Sequence, residues 1–300
     1  MDTTDVSNIP FAHLGYKGAT ACTVAGISYR QLDYWARTSL VVPSIRGAAG
    51  SGSQRLYSFK DILVLKIVKR LLDTGISLHN IRVAVDHLRQ RGVQDLAAYP
   101  MVRTRVAGVE MDWPAGLLNV YQQQNAKITG EGLVDGDGKV FWDAYWALRR
   151  DYDPRDLRWA ADYDCRRPRL VHVYDSQQVE VSGLNLTRSG FWTVHVCYSR
   201  DVKVADLIIR NNIGGRGPST DGIDIDSSER VLVERCDLSV NDDAICIKAG
   251  RDWDGLRVAR PCRQVKIRDC IVRDALAGMT FGSETSGGFD DIEVSGLRIE

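Results

Sequence analysis

The chain has 300 residues, with 39 Lys and Arg against 39 Asp and Glu, and a hydrophobic fraction of 44%. This length allows about two domains with buried cores, and the composition excludes a disordered polyelectrolyte. No apolar run is long enough to span a bilayer, and residues 1–16 lack the basic and apolar segments of a signal peptide. We therefore expect a cytoplasmic protein that does not contact membranes.

The net charge of zero conceals an asymmetry between the two parts of the chain. Residues 1–97 hold 12 Lys and Arg and 7 Asp and Glu, whereas residues 98–300 hold 27 and 32. A basic first third indicates an affinity for nucleic acid. The seven cysteines show no metal-like pairing, and Cys236, Cys246 and Cys270 lie in apolar strand patterns, so we expect reduced, buried thiols.

The first part of the chain has a helical hydrophobic period. Ser28 is a candidate N-cap for a short helix over 29–37, and residues 47–53 form a small-residue loop typical of a hairpin tip. Ser58 and Asp61 predict a capping box at the start of a helix that Gly75 ends, and a last helix runs from Leu78 to about residue 91. We expect a loosely ordered tail over 1–21 and a helical domain over 22–97.

Residues 98–300 change to the alternation that is typical of strands. One template, in which apolar residues alternate with polar ones, occurs five times, beginning at Val179, Val202, Val231, Val265 and Ile292. Each of the first four copies is followed by a second short strand. Repeats of 20–35 residues with a period of two predict a solenoid, specifically a parallel β-helix.

Two of these short strands bring acidic residues together. When residues 220–225 are aligned with 242–247, Asp221 falls on Asp243, and Asp242 lies beside them. On successive coils the aligned carboxylates are about 4.8 Å apart. Crowded carboxylates are costly unless they serve a purpose, and glycoside hydrolysis needs one carboxyl to donate a proton and another to activate water.

Residues 22–97 resemble the DNA-binding domain of the MerR family, in the stretch 23–37 (TVAGISYRQLDYWAR), in 54–61 (QRLYSFKD) and in the helices that follow. The resemblance implies a winged helix-turn-helix that binds double-stranded DNA. We expect the long dimerisation helix of that family to be absent from this chain, because the last predicted helix of the domain ends near residue 91. The DNA-contact candidates are Tyr29, Arg30, Arg46, Arg55 and Tyr57.

Residues 98–300 resemble the polygalacturonases of glycoside hydrolase family 28, in 130–138 (GEGLVDGDG), 188–193 (RSGFWT), 219–224 (STDGID) and 241–244 (NDDA). The resemblance implies a right-handed single-stranded parallel β-helix that hydrolyses pectic oligo- or polysaccharides with inversion, without a metal or other cofactor. It also implies that Asp242 is the general acid and that Asp221 and Asp243 position and activate water.

Four further residues are candidates for substrate binding. Trp192 is either a sugar-stacking platform or a capping hydrophobe, and Arg216 and Lys248 either meet a sugar carboxylate or balance the aspartates. Ala277 replaces the histidine of the family's Gly-His-Gly motif, and we expect Glu284 to bind substrate instead. The family's Arg-x-Lys pair would lie beyond residue 300, so we expect a β-helix that is incomplete at its C-terminal end.

Three interpretations of the whole chain stay open. The first is a pectin-type hydrolase joined to a DNA-binding module. The second is a transcriptional regulator in which an inactive β-helix senses a sugar. The third is an artificial or erroneous join of two unrelated fragments near residue 97, which no linker rich in Gly, Pro or Ser marks.

Overall fold

A computed structural model describes residues 15–47, 54–73, 75–90 and 100–300. The chain divides into two compact units, Met1–Tyr99 and Pro100–Glu300. No helix among these residues has the length and apolar character needed to cross a membrane.

The described part of the first unit is mainly helical. Its elements are β1 (Tyr16–Lys17), α1 (Gly18–Ala25), α2 (Tyr29–Arg37), β2 (Leu56–Tyr57), α3 (Phe59–Asp73) and α4 (Leu78–Gln90). β1 pairs with β2 in an antiparallel ladder. Residues 16–21 therefore form β1 and the first half of α1, which corrects the expected tail in that stretch. The amphipathic signal of α1 is weak, because Gly, Ala and Thr dominate its sequence. Residues 1–14 of that tail lie outside the described ranges.

The predicted helix ends of this unit are confirmed. Ser28 caps α2 in a reciprocal capping box with Gln31. The amide of Ser58 donates to the Asp61 carboxylate, and the amide of Asp61 donates to the Ser58 hydroxyl, so a second box starts α3. Gly75, with φ of 88°, follows the end of α3. The local sequence thus sets the boundaries of the helices before any packing is considered.

The second unit consists mainly of short strands. In chain order they are β3 (Met101–Val106), β4 (Val109–Pro114), β5 (Leu118–Tyr121), β6 (Gln124–Thr129), β7 (Leu133–Asp135), β8 (Val171–Tyr174), β9 (Gln177–Ser182), β10 (Asn185–Thr187), β11 (Val194–Cys197), β12 (Arg200–Ala205), β13 (Ile208–Arg210), β14 (Ile223–Asp226), β15 (Glu229–Glu234), β16 (Asp237–Ser239), β17 (Asp243–Lys248), β18 (Cys262–Arg268), β19 (Ile271–Asp274), β20 (Ala277–Phe281), β21 (Phe289–Ser295) and β22 (Arg298–Ile299).

The strands from β5 onward form a parallel β-helix, as predicted. Every third strand joins the same sheet, which gives three six-stranded parallel sheets that end at β20, β21 and β22. The five copies of the sequence template are β9, β12, β15, β18 and β21, which pair in register in one sheet. Inward-pointing Val, Ile and Leu side chains stack from coil to coil and form one continuous core.

Helices interrupt the coils in two places that the strand template did not predict. α5 (Lys139–Tyr152), a 3₁₀ turn (Asp153–Arg155) and α6 (Ala160–Asp164) lie between β7 and β8, and α7 (Asp252–Val258) lies between β17 and β18. β3 and β4 form a separate antiparallel hairpin. Such insertions occur at turns, where the chain leaves one sheet and has no ladder partner to preserve.

Candidate active site

The predicted register of the acidic segments is confirmed. Ile223 pairs with Ile245 and Ile225 with Ile247 across β14 and β17. The amide of Gly222 donates to the carbonyl of Asp243 at 2.9 Å, so the backbone of the 221–222 turn lies directly against that of residue 243. Asp221 and Asp243 therefore occupy equivalent places on neighbouring coils.

The turn that carries Asp221 is held tightly. A Cβ atom at Gly222 would lie 2.3 Å from the carbonyl oxygen of Ala244, so only glycine fits between the two coils. The buried Asn211 amide donates to the carbonyl of Thr220 at 3.2 Å and to the hydroxyl of Thr193 at 2.7 Å. These contacts fix the backbone position of Asp221.

All three aspartates line one cleft of about 520 Å³. Its other lining residues include four of the predicted substrate-binding residues, namely Trp192, Arg216, Lys248 and Glu284. The sequence thus identified seven residues that the structure brings to the same cleft, from segments up to 92 positions apart (192 to 284).

Burial and repulsion by neighbouring carboxylates raise the pKa values of Asp221 and Asp242. Burial, followed by the neighbouring Asp243 carboxylate, raises the pKa of Asp242 above its ordinary value. Burial also raises the pKa of Asp221, and the adjacent Asp224 adds to this effect. Asp242 can therefore hold a proton at a pH where an exposed aspartate has lost it, as a general acid must.

Lys248 occupies the centre of a buried charge cluster. Its ammonium lies 3.6 Å from an oxygen of Asp221, 3.4 Å from one of Asp224 and 3.3 Å from one of Glu284. Burial alone would lower the pKa of Lys248, but the carboxylates of Asp224, Glu284 and Asp221 outweigh it and hold the pKa well above its usual value. The lysine is therefore permanently charged and committed to internal carboxylates, which favours the charge-balancing alternative over contact with a sugar carboxylate.

Glu284 and Trp192 also have partners within the protein. The Glu284 carboxylate contacts Lys248 and lies 3.5 Å from the guanidinium of Arg251, and its side chain is only 5% exposed. The Trp192 ring is stacked on Phe191 at 4.8 Å, and the Lys248 ammonium lies 4.8 Å from the ring centroid. The structure thus favours the capping-hydrophobe alternative for Trp192, and Glu284 acts on the cleft mainly by holding the lysine and Arg251.

Arg216 differs from Lys248. Its side chain is exposed in the cleft, it donates through Nε to the Asn241 amide oxygen at 2.9 Å, and it lies over the Trp146 ring at 5.5 Å. Within the described residues no carboxylate forms an ion pair with it. A neutral partner orients this guanidinium but leaves its charge available.

One wall of the cleft was not predicted from the sequence. The segment from α5 to α6 contributes seven residues to the lining of the cleft: Tyr145, Trp146, Arg149, Arg158, Trp159, Asp162 and Tyr163. Asp162 accepts hydrogen bonds from Ser219 at 3.0 Å and from the buried Arg167 at 2.7 Å, which ties α6 to the turn before Asp221. The only signal in the sequence is a local density of Trp, Tyr and Arg, which has no fixed spacing to the aspartates.

Two groups of side chains in the described residues have the spacing of metal ligands, although no metal was expected. Asp221, Asp224 and Cys246 form the first, and the Lys248 ammonium already supplies a positive charge to it. His195, Cys197 and Asp226 form the second, where the buried Arg105 guanidinium donates to Asp226 at 2.8 Å. In both groups a protein cation neutralises the carboxylates that a metal ion would need.

The predicted DNA-contact residues of the first unit fall into two groups. Tyr29 and Arg30 are exposed at the N-terminal end of α2, and Arg46 is exposed beside the bridge to Leu56. Tyr57, by contrast, is 1% exposed and belongs to the core of this unit, so the prediction that it contacts DNA is wrong. Arg55 is half-buried in an ion pair with Asp33 at 2.7 Å, which limits its freedom to clamp a phosphate.

A parallel β-helix with clustered carboxylates in a surface cleft defines the class of carbohydrate-active β-helix proteins. The model of glycosyl hydrolases family 28 matches residues 103–300, and the chain belongs to this family. The model of the MerR HTH family regulatory proteins matches residues 16–88, which confirms the resemblance of the first unit.

Individual relatives agree with this division. A Vitis vinifera protein named a probable polygalacturonase is 30% identical over 224 residues, which are 69% of this chain and 42% of that protein. An uncharacterised HTH-type transcriptional regulator of Mycobacterium tuberculosis is 86% identical over 90 residues, which are 30% of this chain and 40% of that protein. The chain thus spans less than half of the length of either relative.

Solved structures show the same architecture. The exopolygalacturonase of Thermotoga maritima superposes with a TM-score of 0.58 at 27% identity, over 68% of this chain and 52% of that one. A polygalacturonase of Erwinia carotovora superposes with a TM-score of 0.52 at 18% identity, over 67% of this chain and 49% of that one, and supports the fold alone.

Proposed function

We propose that the second unit hydrolyses the glycosidic bonds of pectic polysaccharides that contain galacturonic acid, with inversion at the anomeric carbon. The observation that carries the proposal is the placement of Asp221, Asp242 and Asp243 in one cleft by two neighbouring coils. The family membership supports the choice of reaction, and the name of the Vitis vinifera relative supports the choice of substrate.

The three carboxyls divide the reaction between them. Asp242, whose pKa is raised, donates its proton to the glycosidic oxygen as the bond from that oxygen to the anomeric carbon breaks. A water molecule attacks the anomeric carbon from the opposite face and gives its proton to Asp243 or Asp221. Both sugar products then carry hydroxyl groups, and Asp242 recovers its proton from solvent.

Arg216 is the group in this cleft that suits a sugar carboxylate. Its guanidinium is exposed, held by Asn241 and without a carboxylate partner among the described residues. A guanidinium binds a carboxylate through two parallel hydrogen bonds, and Trp146 beneath it offers an apolar face to a sugar ring. Lys248 supports catalysis indirectly, by balancing the charge of Asp221 and its neighbours, and does not contact the substrate.

The proposal is tested by incubating the chain with polygalacturonate and following the release of reducing ends. Proton NMR during the first minutes should show the β-anomer of the new reducing end, because single displacement at an α-linked sugar inverts the configuration. Initial release of the α-anomer would contradict the inverting mechanism. A complete absence of release would contradict the hydrolase and favour the sugar-sensing alternative.

The first unit supports a second candidate function, which is binding of double-stranded DNA. Tyr29 and Arg30 are exposed at the start of α2, and this placement is typical of a recognition helix. We place this activity, and the chain as a whole, in the cytoplasm, where the seven free cysteines would stay reduced.

This candidate predicts that Arg30→Ala weakens binding to a duplex selected from a random pool by about tenfold, the effect of one lost contact. Fluorescence anisotropy at low salt measures it. Tyr57→Phe is the matched control and should bind as tightly as the parent, because the Tyr57 hydroxyl is buried. Failure of the parent chain to bind any duplex at low salt would remove the candidate.

A further inference from the structure

A second groove runs along the β-helix at the C-terminal ends of the strands whose N-terminal ends bear the aspartates. The three aspartates of the active-site cleft lie where the chain enters the strands β14 and β17, and Trp192 and Leu276 lie at the entries to β11 and β20. The second groove, of about 490 Å³, follows the turns after β5, β8, β11 and β14 and the segment after α7. Five successive coils contribute to it, so it is about four strand spacings, or ~19 Å, long. That length suits a short linear oligosaccharide laid parallel to the axis of the β-helix.

The serine hydroxyls on the floor of the groove already form hydrogen bonds within the protein. Ser176, Ser199 and Ser228 stack on three coils, and each hydroxyl donates to a carbonyl two residues earlier in its own turn. The hydroxyls of Ser199 and Ser228 also accept from the amide of the serine on the preceding coil. The floor therefore contributes only a surface that a ligand can pack against. The side chains on the rims must provide the polar contacts that select the ligand.

The rims carry guanidinium groups that form no ion pair among the described residues. Arg200 donates through Nε to the amide oxygen of Gln177 at 2.7 Å, a neutral acceptor. Arg260 lies over the Tyr198 ring at 4.8 Å. Neither forms an ion pair with any carboxylate in the part of the chain that the structure describes.

The neighbouring arginines show that this arrangement is unusual on this surface. Arg263, which also lines the groove, is paired with Glu229 at 2.6 Å, and Glu229 is paired again with Arg230 at 2.8 Å. Asp175 is the remaining acidic residue of the lining, and the amide of Gln122 already donates to it at 3.3 Å. Three arginines against two carboxylates leave the groove positive.

We propose that this groove is an accessory binding site for acidic oligosaccharides, with Arg200 and Arg260 as the groups that bind sugar carboxylates. The two guanidinium groups come from coils separated by one intervening coil, so they can engage carboxylates on different sugars of one chain. The proposal rests on the proposed function, because it takes the same acidic polymer as ligand. A second point of attachment raises the effective concentration of polymer at the cleft.

The test is calorimetric titration of tetragalacturonate into the full chain carrying Asp242→Asn, which prevents turnover. We expect two equivalents of bound ligand. In the same background, Arg200→Gln with Arg260→Gln should remove one equivalent or weaken it at least tenfold, while the other equivalent is unchanged. If the active-site cleft binds nothing, one equivalent remains and the double substitution abolishes it, so failure of the proposed function is distinguished from failure of this site.

Two controls make the result specific. Arg235→Gln, which removes an exposed arginine paired with Asp206 outside the groove, should leave both equivalents in place. A neutral galactose tetrasaccharide should not occupy the groove. The proposal is overturned if the double substitution leaves the titration unchanged, if Arg235→Gln has the same effect, or if the neutral sugar binds equally well. Thermal unfolding of each variant verifies that the fold is retained.

Discussion

Replacing Asp242 by Asn should lower the rate of polygalacturonate hydrolysis by about 10²–10⁴-fold, the range for loss of a general acid. Asn has the same shape as Asp but carries no proton that it can transfer. The leaving oxygen would depart as an unprotonated alkoxide, which is unfavourable in a cleft that already holds Asp221 and Asp243. Reducing-end release under substrate saturation measures the change in kcat.

The pH dependence gives an independent measure of the same role. Burial and the Asp243 carboxylate raise the pKa of Asp242, so the proton needed for catalysis persists to a higher pH than that of an exposed aspartate. The alkaline limb of the parent pH profile should report the loss of this proton. It should be absent from the residual activity of Asp242→Asn.

A matched control uses a carboxylate outside the cleft. Asp201 forms an exposed ion pair with Arg230 at 2.7 Å, and Asp201→Asn should leave kcat within about twofold of the parent because such a pair contributes little. Full activity of Asp242→Asn would show that another group donates the proton. An equal loss in Asp201→Asn would show that the assay reports stability instead of chemistry.

The backbone arrangement of the proposed catalytic carboxylates was predictable from sequence because a β-helix repeats its geometry. Once Ile223 is aligned with Ile245, the fixed spacing of parallel strands places Asp221 beside Asp243 without further information. The same regularity made the five copies of the strand template visible. Periodicity predicts the positions of residues within strands and in the turns adjacent to them.

Contacts that depend on insertions were not predictable in this way. Trp146 and Asp162 reach the cleft from α5 and α6, and the length of that insertion follows no repeat. The pairing of Lys248 with Asp221 was anticipated as charge balance, but its contacts with Asp224 and Glu284 were missed for a related reason. The Lys248 side chain lies on the same strand face as Asp224, and Glu284 reaches it from a turn on the next coil. The cluster forms only when the turns of successive coils fold against one another, which the strand pattern does not specify.

Tyr57 shows a different limit in the first unit. Its motif predicts a position near DNA, but the short strand β2 pairs with β1 and turns the ring into the core beneath the helices. The strand β1 lies in a stretch that carries little hydrophobic signal. Because β1 could not be recognised from the sequence, the orientation of Tyr57 on its partner strand β2 could not be predicted.

The largest expected effect on stability comes from Lys248→Met, which removes a buried ammonium and keeps an unbranched side chain that is one atom shorter. The carboxylates of Asp221, Asp224 and Glu284, which contact this ammonium, would lose the cation that they share. Breaking a buried ion pair from one side costs about 3–5 kcal/mol. Urea unfolding followed by tryptophan fluorescence measures the cost, because six of the seven tryptophans lie in residues 100–300.

The sign of the pH effect is fixed by the carboxyls. Burial raises the pKa of Asp224 to about 7, so its folded-state pKa lies above the unfolded value of 3.8, and stability is lost as pH rises between these values. Without the ammonium the carboxyls are harder to ionise, and the destabilisation by Lys248→Met should be larger at pH 8 than at pH 5. Burial lowers the pKa values of His172 and His195, so both histidines act in the opposite direction below pH 6.5. The Lys248 ammonium adds to the lowering at His195, so Lys248→Met should also relieve part of this histidine's cost at low pH, which acts in the same sense as the carboxyl effect.

Two further variants decide whether charge or packing is responsible. Adding Asp224→Asn to Lys248→Met should recover part of the lost stability, because it removes one of the uncompensated carboxylates. Lys203→Met, which breaks a partly exposed pair with Glu234 at 3.2 Å, should cost less than about 1 kcal/mol. If Lys248→Met is as stable as the parent at pH 8, or if Asp224→Asn lowers its stability further, then packing around Trp192 and not charge balance is the role of this lysine, and the proposed support of Asp221 fails.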